Sequence, residues 1–517
     1  MRALHLLIIL WLGFVSCGSP EQEAEISEKP NILFVISDDQ SYPHASAYGF
    51  EAAQTPGFDR LASDGVLFTR AYAPAPGCSP TRASILTGRH IWQIEQAGTH
   101  ASSFPQKYVC YTDILEAAGY NVGYTGKPWA PGDWEVSGRD RNPAGDEFNN
   151  HHCVSPRGIS TRDYYRNFKQ FLDEKEKDQP FCFWFGGHEA HRPYSEGLGI
   201  SLGKKLKDAQ VPAFFPDKPE IRKDILDYAV EIEWFDGHLQ RAIEILEERN
   251  MLENTLIIYT SDNGMPFPRA KANLYDYGIH MPMAAMWKGK IKPGRVSDDL
   301  ISLTDLAPTF LEVAGIYETI KDTLQFPMTG KSILPVLLSP DSGIIDSSRN
   351  AVYSGRERHS YSRWSNLTYP IRSMRSGDFL YIRNFKPERW PAGAPQKFEQ
   401  DGQLGPMHGG YHDIDGALSL TYLIENRNDP DVSKYFHLAV DRRPADELFN
   451  VKDDPGCIIN LATQPAYKQI VARYRKQLEE YLAKTGDPRV TGNGDVWEDY
   501  PRLRGPMRSF PVPDWAK

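Results

Sequence analysis

Four short apolar runs each end on charged or polar residues, and stretches of helical periodicity separate them. Asn31-Ile-Leu-Phe-Val-Ile-Ser37 leads to Asp38-Asp39, and Asn121-Val-Gly-Tyr-Thr125 to Lys127. Phe181-Cys-Phe-Trp-Phe185 precedes the cluster from His188 to His191, and Thr255-Leu-Ile-Ile-Tyr-Thr260 precedes Asp262-Asn263. Runs of this kind suit strands buried on both faces. Between them the pattern predicts helices at Tyr111 to Ala118, around Arg162 to Leu172, and from Ile221 to Arg249, the last being the strongest in the chain. Strands alternating with helices imply crossover units, so the expected fold class is α/β, a mostly parallel sheet flanked by helices. Ligands of such sheets collect beyond the C-terminal strand ends, where all four polar clusters fall.

The alternation weakens after about residue 345. Ala351-Val-Tyr-Ser and Phe379-Leu-Tyr-Ile-Arg-Asn384 read as antiparallel strands, the Pro-, Gly- and Trp-rich stretch from Lys386 to His412 as long loops, and Gln464 to Thr485 as a closing helix. The expected organisation is a catalytic domain over 28–345 and a smaller α+β domain over 346–517 that sets substrate specificity.

The first residues stand apart. Arg2 precedes an apolar run from Leu6 to Val15 that is too short for a permanent membrane span. It reads as a secretory signal over 1–17. Cys17 and the polar stretch after it are similar to a bacterial lipoprotein site, with acylation of Cys17, or else simple secretion, as the outcome. The expected location is periplasmic or anchored at the outer membrane. Of the remaining cysteines, Cys110, Cys153, Cys182 and Cys457 lack metal-type spacing. One or two disulfides are open to them, although Cys182 sits in an apolar run and reads as core. The net charge of -10 argues against a nucleic-acid partner.

The segment Gly77-Cys78-Ser79-Pro80-Thr81-Arg82, continued by Leu86-Thr-Gly-Arg89, carries the most chemistry. A cysteine at a helix start lies at the positive end of the dipole, where a developing anion is stabilised. Arg82 follows by four residues and shares its side of the helix. Asp38, Asp39, Asp262 and Asn263 are hard oxygen donors at two strand ends, a set that suits calcium or magnesium. Read alone, Asp38-Asp39 reads better as a solvated loop or helix cap; two such half-sites at strand ends, more than 200 residues apart, weaken that reading. His188 and His191 could form a transition-metal pair, but their three-residue spacing off a helix is a weak signal.

Cys-x-Pro-x-Arg with the following Leu-Thr-Gly-Arg closely resembles the signature of type I sulfatases. Ser261-Asp-Asn-Gly-Met-Pro-Phe-Pro268, Asn273-Leu-Tyr275 and Tyr369-Pro-Ile-Arg372 resemble the heparan N-sulfatase (sulfamidase) branch and its bacterial polysaccharide-sulfatase relatives. The resemblance covers nearly all of the chain after residue 30. It implies an alkaline-phosphatase-like fold and oxidation of Cys78 to formylglycine by a formylglycine-generating or anaerobic sulfatase-maturating enzyme. One calcium ion would be held by Asp38, Asp39, Asp262, Asn263 and residue 78. It also implies that Arg82, Lys127 and Lys271 hold sulfate, with Arg269 a close rival to Lys271, and that His191 protonates the departing sugar oxygen. The hydrated aldehyde would carry two hydroxyls: one attacks sulfur, and the other drives release of sulfate by re-forming the carbonyl. The substrate would be a sulfated saccharide, with His188, Arg269, Arg356, His359 and Arg372 as its expected binding residues; the last three belong to a second-domain cluster with Arg358, Arg363 and Trp364, which otherwise reads as a set of surface salt bridges.

One position departs from the family pattern. The family reads Gly-Lys-x-His where this chain reads Gly126-Lys127-Pro128-Trp129, so Trp129 stands in place of a histidine that assists sulfate release. His100, His151 and His152 are the candidate replacements. Two other functions compete: a phosphodiester or phosphonate monoester hydrolase of the same fold, and a sulfated-glycan binding protein without turnover.

Overall fold

The computed structural model describes residues 29–517, and the signal-type segment with Cys17 lies outside the described residues. The large sheet contains β1 (Asn31–Ser37), β2 (Val66–Tyr72), β3 (Asn121–Gly126), β4 (Asp146–Glu147), β5 (Phe181–Gly186), β6 (Thr255–Ser261), β7 (His280–Met286), β8 (Arg295–Ser297) and β9 (Ile301–Ser302). Its order is β4-β3-β5-β1-β6-β7-β2-β8, with β9 also on β2. Only β7 among these strands runs against the rest. The expected mostly parallel sheet is therefore present.

Alternation along β1 explains the layers. Ile32, Phe34 and Ile36 face one core, and Leu33 and Val35 the other. The helices are α1 (Pro56–Ser63), α2 (Cys78–Thr87), α3 (Tyr111–Ala117), α4 (Tyr164–Glu174), α5 (Pro219–Glu248) and α6 (Leu306–Val313). The first core takes Ala83, Ile85 and Leu86 of α2, Leu115 of α3 and Phe310 of α6. The second takes Phe58 of α1, Phe168 and Phe171 of α4, and Phe235, Leu239 and Ile243 of α5. No helix among the described residues is long and apolar enough to cross a membrane.

A smaller antiparallel sheet runs in the order β10 (Val352–Arg356), β11 (Ile371–Ser376), β12 (Phe379–Asn384), β13 (Asp446–Asn450). Leu380 and Ile382 pack toward Tyr72, Leu274 and Ile279 of the large unit. Tyr381, between them, faces the opposite way. Between β12 and β13 the chain makes long loops, then α7 (Leu418–Glu425) and α8 (Pro430–Val440), which were not anticipated. Leu423 and Phe436 from these helices share a core with Ile225 and Tyr228 of α5, so this excursion returns to the catalytic side. A long C-terminal helix, α9 (Lys468–Lys484), lays Tyr474 and Leu478 on the outer face beside Tyr381. The five described cysteines, Cys78, Cys110, Cys153, Cys182 and Cys457, are all free.

Candidate active site

The strands β3, β5, β1 and β6 are neighbours and parallel, and their ends lie level: Gly126 pairs with Gly186, Ile36 with Gly186, and Ser37 with Ser261. With strands about 4.8 Å apart, Lys127, His191, Asp38-Asp39 and Asp262-Asn263 are set side by side along one edge. Asp39 adopts a left-handed backbone (φ 63°). Non-glycine residues take that conformation rarely, aspartate more readily than most, and its occurrence at a strand end is characteristic of functional turns.

Asp38, Asp39 and Asp262 are at most 1 % exposed. Each gives one oxygen to a cation. Asp38 Oδ2 pairs with Lys127 Nζ. Asp39 Oδ2 accepts from Lys271 Nζ at 2.7 Å, and Asp262 Oδ2 from Arg82 Nε at 2.7 Å. Of the second oxygens, Asp262 Oδ1 accepts from the Asp39 N–H at 3.2 Å. Oxygens of the three carboxylates and the Cys78 sulfur lie within 4.8 Å of one another. Asp38 Oδ1 and Asn263 Oδ1 are buried and have no hydrogen-bond partner, while Asn263 Nδ2 donates to Asp39 Oδ1 at 2.7 Å. Buried acceptors are rarely left unpaired. Oxygen donors converging from three carboxylates and an amide fit a hard divalent cation.

Electrostatics follow from this crowding. Burial by itself would raise the Asp38 carboxyl, but Lys127, with His191 and Arg82, holds it well below the usual range. Asp262 is pushed up to about 6 by burial and by Asp38, against the pull of Arg82. Burial would lower the Lys271 ammonium, yet Asp39 and Asp415 carry it well above its ordinary value.

Cys78 is the first residue of α2, and Gly77 before it is extended. Its sulfur lies 3.9 Å from Asp39 Oδ1. Burial, and next the Asp38 carboxylate, push the thiol well above the ordinary range, so the unmodified side chain is neutral. Arg82 bonds the carbonyls of Lys127 and Pro128 as well as Asp262. Its Nη2 is buried and unpartnered, and so remains able to donate to an incoming oxyanion.

His191 Nδ1 contacts the Arg192 carbonyl, which fixes the proton on Nδ1, and Nε2 lies 3.8 Å from Asp39 Oδ2. His188 and His191 line a cleft of about 580 Å³ with Asp38 and Lys127. Of the two histidines, His191 alone falls in a potential ligand group of three or more among the described residues, with Asp39 and Asp415.

Trp129 is buried against Phe104 and donates from Nε1 to the Ser79 carbonyl at 3.1 Å. It braces the first turn of α2. His151 and His152 are exposed and do not line the cleft. His100, in contrast, is buried and stacked on His359, with ring centroids 4.3 Å apart. A methyl group placed on Gly77 would come within 3.9 Å of His100 Cδ2 and 3.1 Å of His359 Nδ1, so both rings border the nucleophile turn.

Three residues expected at the substrate are committed elsewhere. Arg269 donates to the carbonyls of Leu438 and Cys457 and lies over Tyr275. Arg356 is held by Asp413 and the Ala272 and Pro391 carbonyls, and Arg372 by Glu357 and Asp487. Arg269 and Arg356 tie the smaller sheet and the loops after β12 to the large unit, while Arg372 cross-links the C-terminal part internally. Lys271, not Arg269, reaches the carboxylates. Asp415 went unnoticed in the sequence. It lies 3.0 Å from Lys271 Nζ, and its only signal was the Asp413-Ile-Asp415 alternation in a loop-like stretch.

Comparison with known proteins agrees with this geometry. The sulfatase family profile matches residues 30–316, and that of the N-sulphoglucosamine sulphohydrolase C-terminal region matches 269–376. An ulvan-active sulfatase of Formosa agariphila is 28 % identical over 476 residues, covering 90 % of this chain and 82 % of its own. Human N-sulphoglucosamine sulphohydrolase is 28 % identical over 504 residues, covering 91 % and 93 %. Two solved structures share the fold. One is an enzyme in complex with its substrate D-glucosamine-2-N,6-O-disulfate (TM-score 0.62, 20 % identity, 89 % of this chain and 99 % of that one). The other is a phosphonate monoester hydrolase of Silicibacter pomeroyi (0.61, 16 %, 89 % and 97 %). Fold alone does not separate these two chemistries. The sulfatase profile match over residues 30–316, more than half the length, does: the chain belongs to the sulfatase family and is a sulfuric ester hydrolase.

Proposed function

We propose that this enzyme removes sulfate from a sulfated saccharide, with residue 78 converted to formylglycine and one calcium ion at the carboxylate edge. The observation that carries the reading is Cys78 at the start of α2, its sulfur within 4.8 Å of oxygens from three buried carboxylates. The relatives active on ulvan and on N-sulphoglucosamine support a glycan substrate. Export through the N-terminal signal, with Cys17 acylated or lost, and maturation by a formylglycine-forming partner complete the proposal.

Calcium, when bound to Asp38, Asp39, Asp262 and Asn263, would supply Lewis acidity toward sulfate. The protein's own groups do the rest. Arg82 Nη2 and the ammonium groups of Lys127 and Lys271 neutralise the sulfate oxygens and hold sulfur in line with residue 78. The α2 N-terminus stabilises negative charge developing there. His191 Nε2, once protonated, gives its proton to the sugar oxygen as it leaves. His100 Nδ1 is bonded to the His359 carbonyl at 2.8 Å, which leaves Nε2 as acceptor for the proton lost during sulfate release. Burial, then His359, keep His100 well below the ordinary histidine range and hence neutral.

Turnover of defined sulfated saccharides against aryl phosphodiesters tests the reading. Higher kcat/KM on phosphodiesters would transfer the assignment to the phosphonate-hydrolase class, and binding of saccharide without turnover by the matured protein would make it a glycan-binding protein.

The two histidines should behave differently. His191→Ala is expected to slow sugar desulfation by about 10²–10⁴-fold but aryl sulfates far less, since phenolate leaves without a proton. Equal slowing of both would refute its role as acid. His100→Ala should leave the first turnover nearly intact and slow release. Rapid mixing would then show a burst of desulfated sugar close to one per site, followed by a slower steady rate. A linear time course in this variant would assign release to water or a carboxylate.

A further inference from the structure

The arginine cluster around β10 and the following turn contains one member unlike the others. Arg356, Arg363 and Arg372 each bind carboxylates. Arg358 is 1 % exposed, and its Nε, Nη1 and Nη2 all lack hydrogen-bond partners. A guanidinium carries five donors, and removing such a charge from water without compensation is among the costliest arrangements a core can hold. The nearby carboxylates are already occupied. Glu357 binds Arg372 and Arg489, Glu498 binds Arg389 and Thr368, and Asp413 binds Arg356 and Arg363.

More positive charge comes from the C-terminal segment. Arg502 stands within electrostatic reach of Arg358 and donates from Nη1 to the Arg504 carbonyl, whereas Arg508 donates to the Tyr361 carbonyl at 3.1 Å. Arg502 Nε is also buried and unpartnered. This segment passes the nucleophile side of the molecule: Leu503 N–H donates to the Ala101 carbonyl at 2.7 Å, and Ser102 Oγ to the Pro501 carbonyl at 2.6 Å. The Arg358 carbonyl in turn accepts from His100 N–H at 3.2 Å. A cavity of about 10 Å³ adjoins Arg358, His100, His359 and Gly77. That volume is too small for a sulfate or carboxylate group, so an arriving anion must shift the neighbouring chain, of which the 501–508 segment is largely exposed.

We propose that Arg358, with Arg502, forms a second anion subsite beside the nucleophile turn. It takes a sulfate or carboxylate group on the same glycan as the sulfate being removed. The inference rests on the saccharide-sulfatase reading, and it narrows the substrate to chains carrying two anionic groups close together. Guanidinium groups match both anions in bidentate geometry, so the two sources must be separated by experiment.

The test uses the full-length Cys78→Ala protein, which binds without turning over. Calorimetric titration would compare three disaccharides that share one sulfated sugar. The second sugar carries a sulfate, a carboxylate, or neither. At least one of the two anionic probes is expected to bind about 10–100-fold more tightly than the third, as charge-assisted hydrogen bonds imply, and the better one identifies the natural anion. Adding Arg358→Gln should reduce the advantage to under about 3-fold, and Arg358→Lys should restore part of it. If Arg358→Gln does not fold, Arg502→Gln, on the C-terminal segment, should reduce the same advantage. Equal affinity for all three probes, or an advantage that survives both substitutions, overturns the subsite. Turnover by the matured enzyme is scored separately. Anion selectivity without hydrolysis of any probe would sink the sulfatase reading and leave the subsite standing. Hydrolysis without selectivity would do the reverse.

Discussion

Cys78→Ala is expected to abolish turnover of every sulfated substrate, by at least about 10⁴-fold, while the protein stays folded with an unchanged melting profile. The first half follows from the site. No other nucleophile stands at the start of α2 facing the carboxylate edge, and the flanking cations can bind sulfate but not accept it. The second half follows from packing. Cys78 is 1 % exposed and its one recorded polar contact is the long 3.9 Å approach to Asp39, so the change removes a single sulfur from a polar cavity. Cys78→Ser should be just as inactive where the maturation machinery accepts only cysteine, because a plain serine, once sulfated, has no second hydroxyl to expel sulfate. Mass spectrometry of the residue-78 peptide and steady-state assays decide together. Residual activity of purified Cys78→Ala within 100-fold of the parent would end the mechanism.

The catalytic edge was legible in the sequence because two simple signals coincide there. Apolar runs buried on both faces mark β1, β3, β5 and β6, and chemistry-bearing residues follow each run at once, where a parallel sheet gathers its ligands. Other elements carry weaker signals. β7 reads His280-Met-Pro-Met-Ala-Ala-Met286, with a proline and no β-branched residue, and it forms a strand only because β6 and β2 lie on either side of it. Pairing across long separations left no local trace. Arg372 reads as a ligand-binding cation until Asp487, 115 residues away, is found against its Nε, and Arg269 until its loop is seen to fold over Tyr275 toward Cys457. The same blindness hid Asp415 and the isolation of Arg358. A sequence names the charged residues, but only the fold tells which of them have already been neutralised.

Stripping divalent cations is expected to reduce turnover by at least about 10³-fold, a loss comparable to removing a principal electrostatic stabiliser of the transition state, and added calcium should restore it. The argument rests on the charge balance at the edge. Arg82, Lys127 and Lys271 each neutralise one oxygen of Asp262, Asp38 and Asp39. Oxygens of the three carboxylates still lie within 4.8 Å of one another, and Asp38 Oδ1 and the neighbouring Asn263 Oδ1 are buried without a partner. Without a cation that convergence repels the sulfate it should receive, and the lysines meant for substrate stay drawn to the carboxylates. Melting gives a readout independent of catalysis. A cation that binds only the folded protein stabilises it by about 2.7 kcal/mol at one hundred times its Kd, so calcium should raise the Tm of chelated protein. Asp262→Asn should weaken that response, because it removes one of three anionic donors while keeping the shape. Calcium should act at lower concentration than magnesium, since a set of protein oxygens with little room for water suits the larger, more readily dehydrated ion. A chelated, metal-free sample with full turnover and a Tm indifferent to calcium would show that the three cationic side chains alone balance the edge, and that these carboxylates serve only to position them.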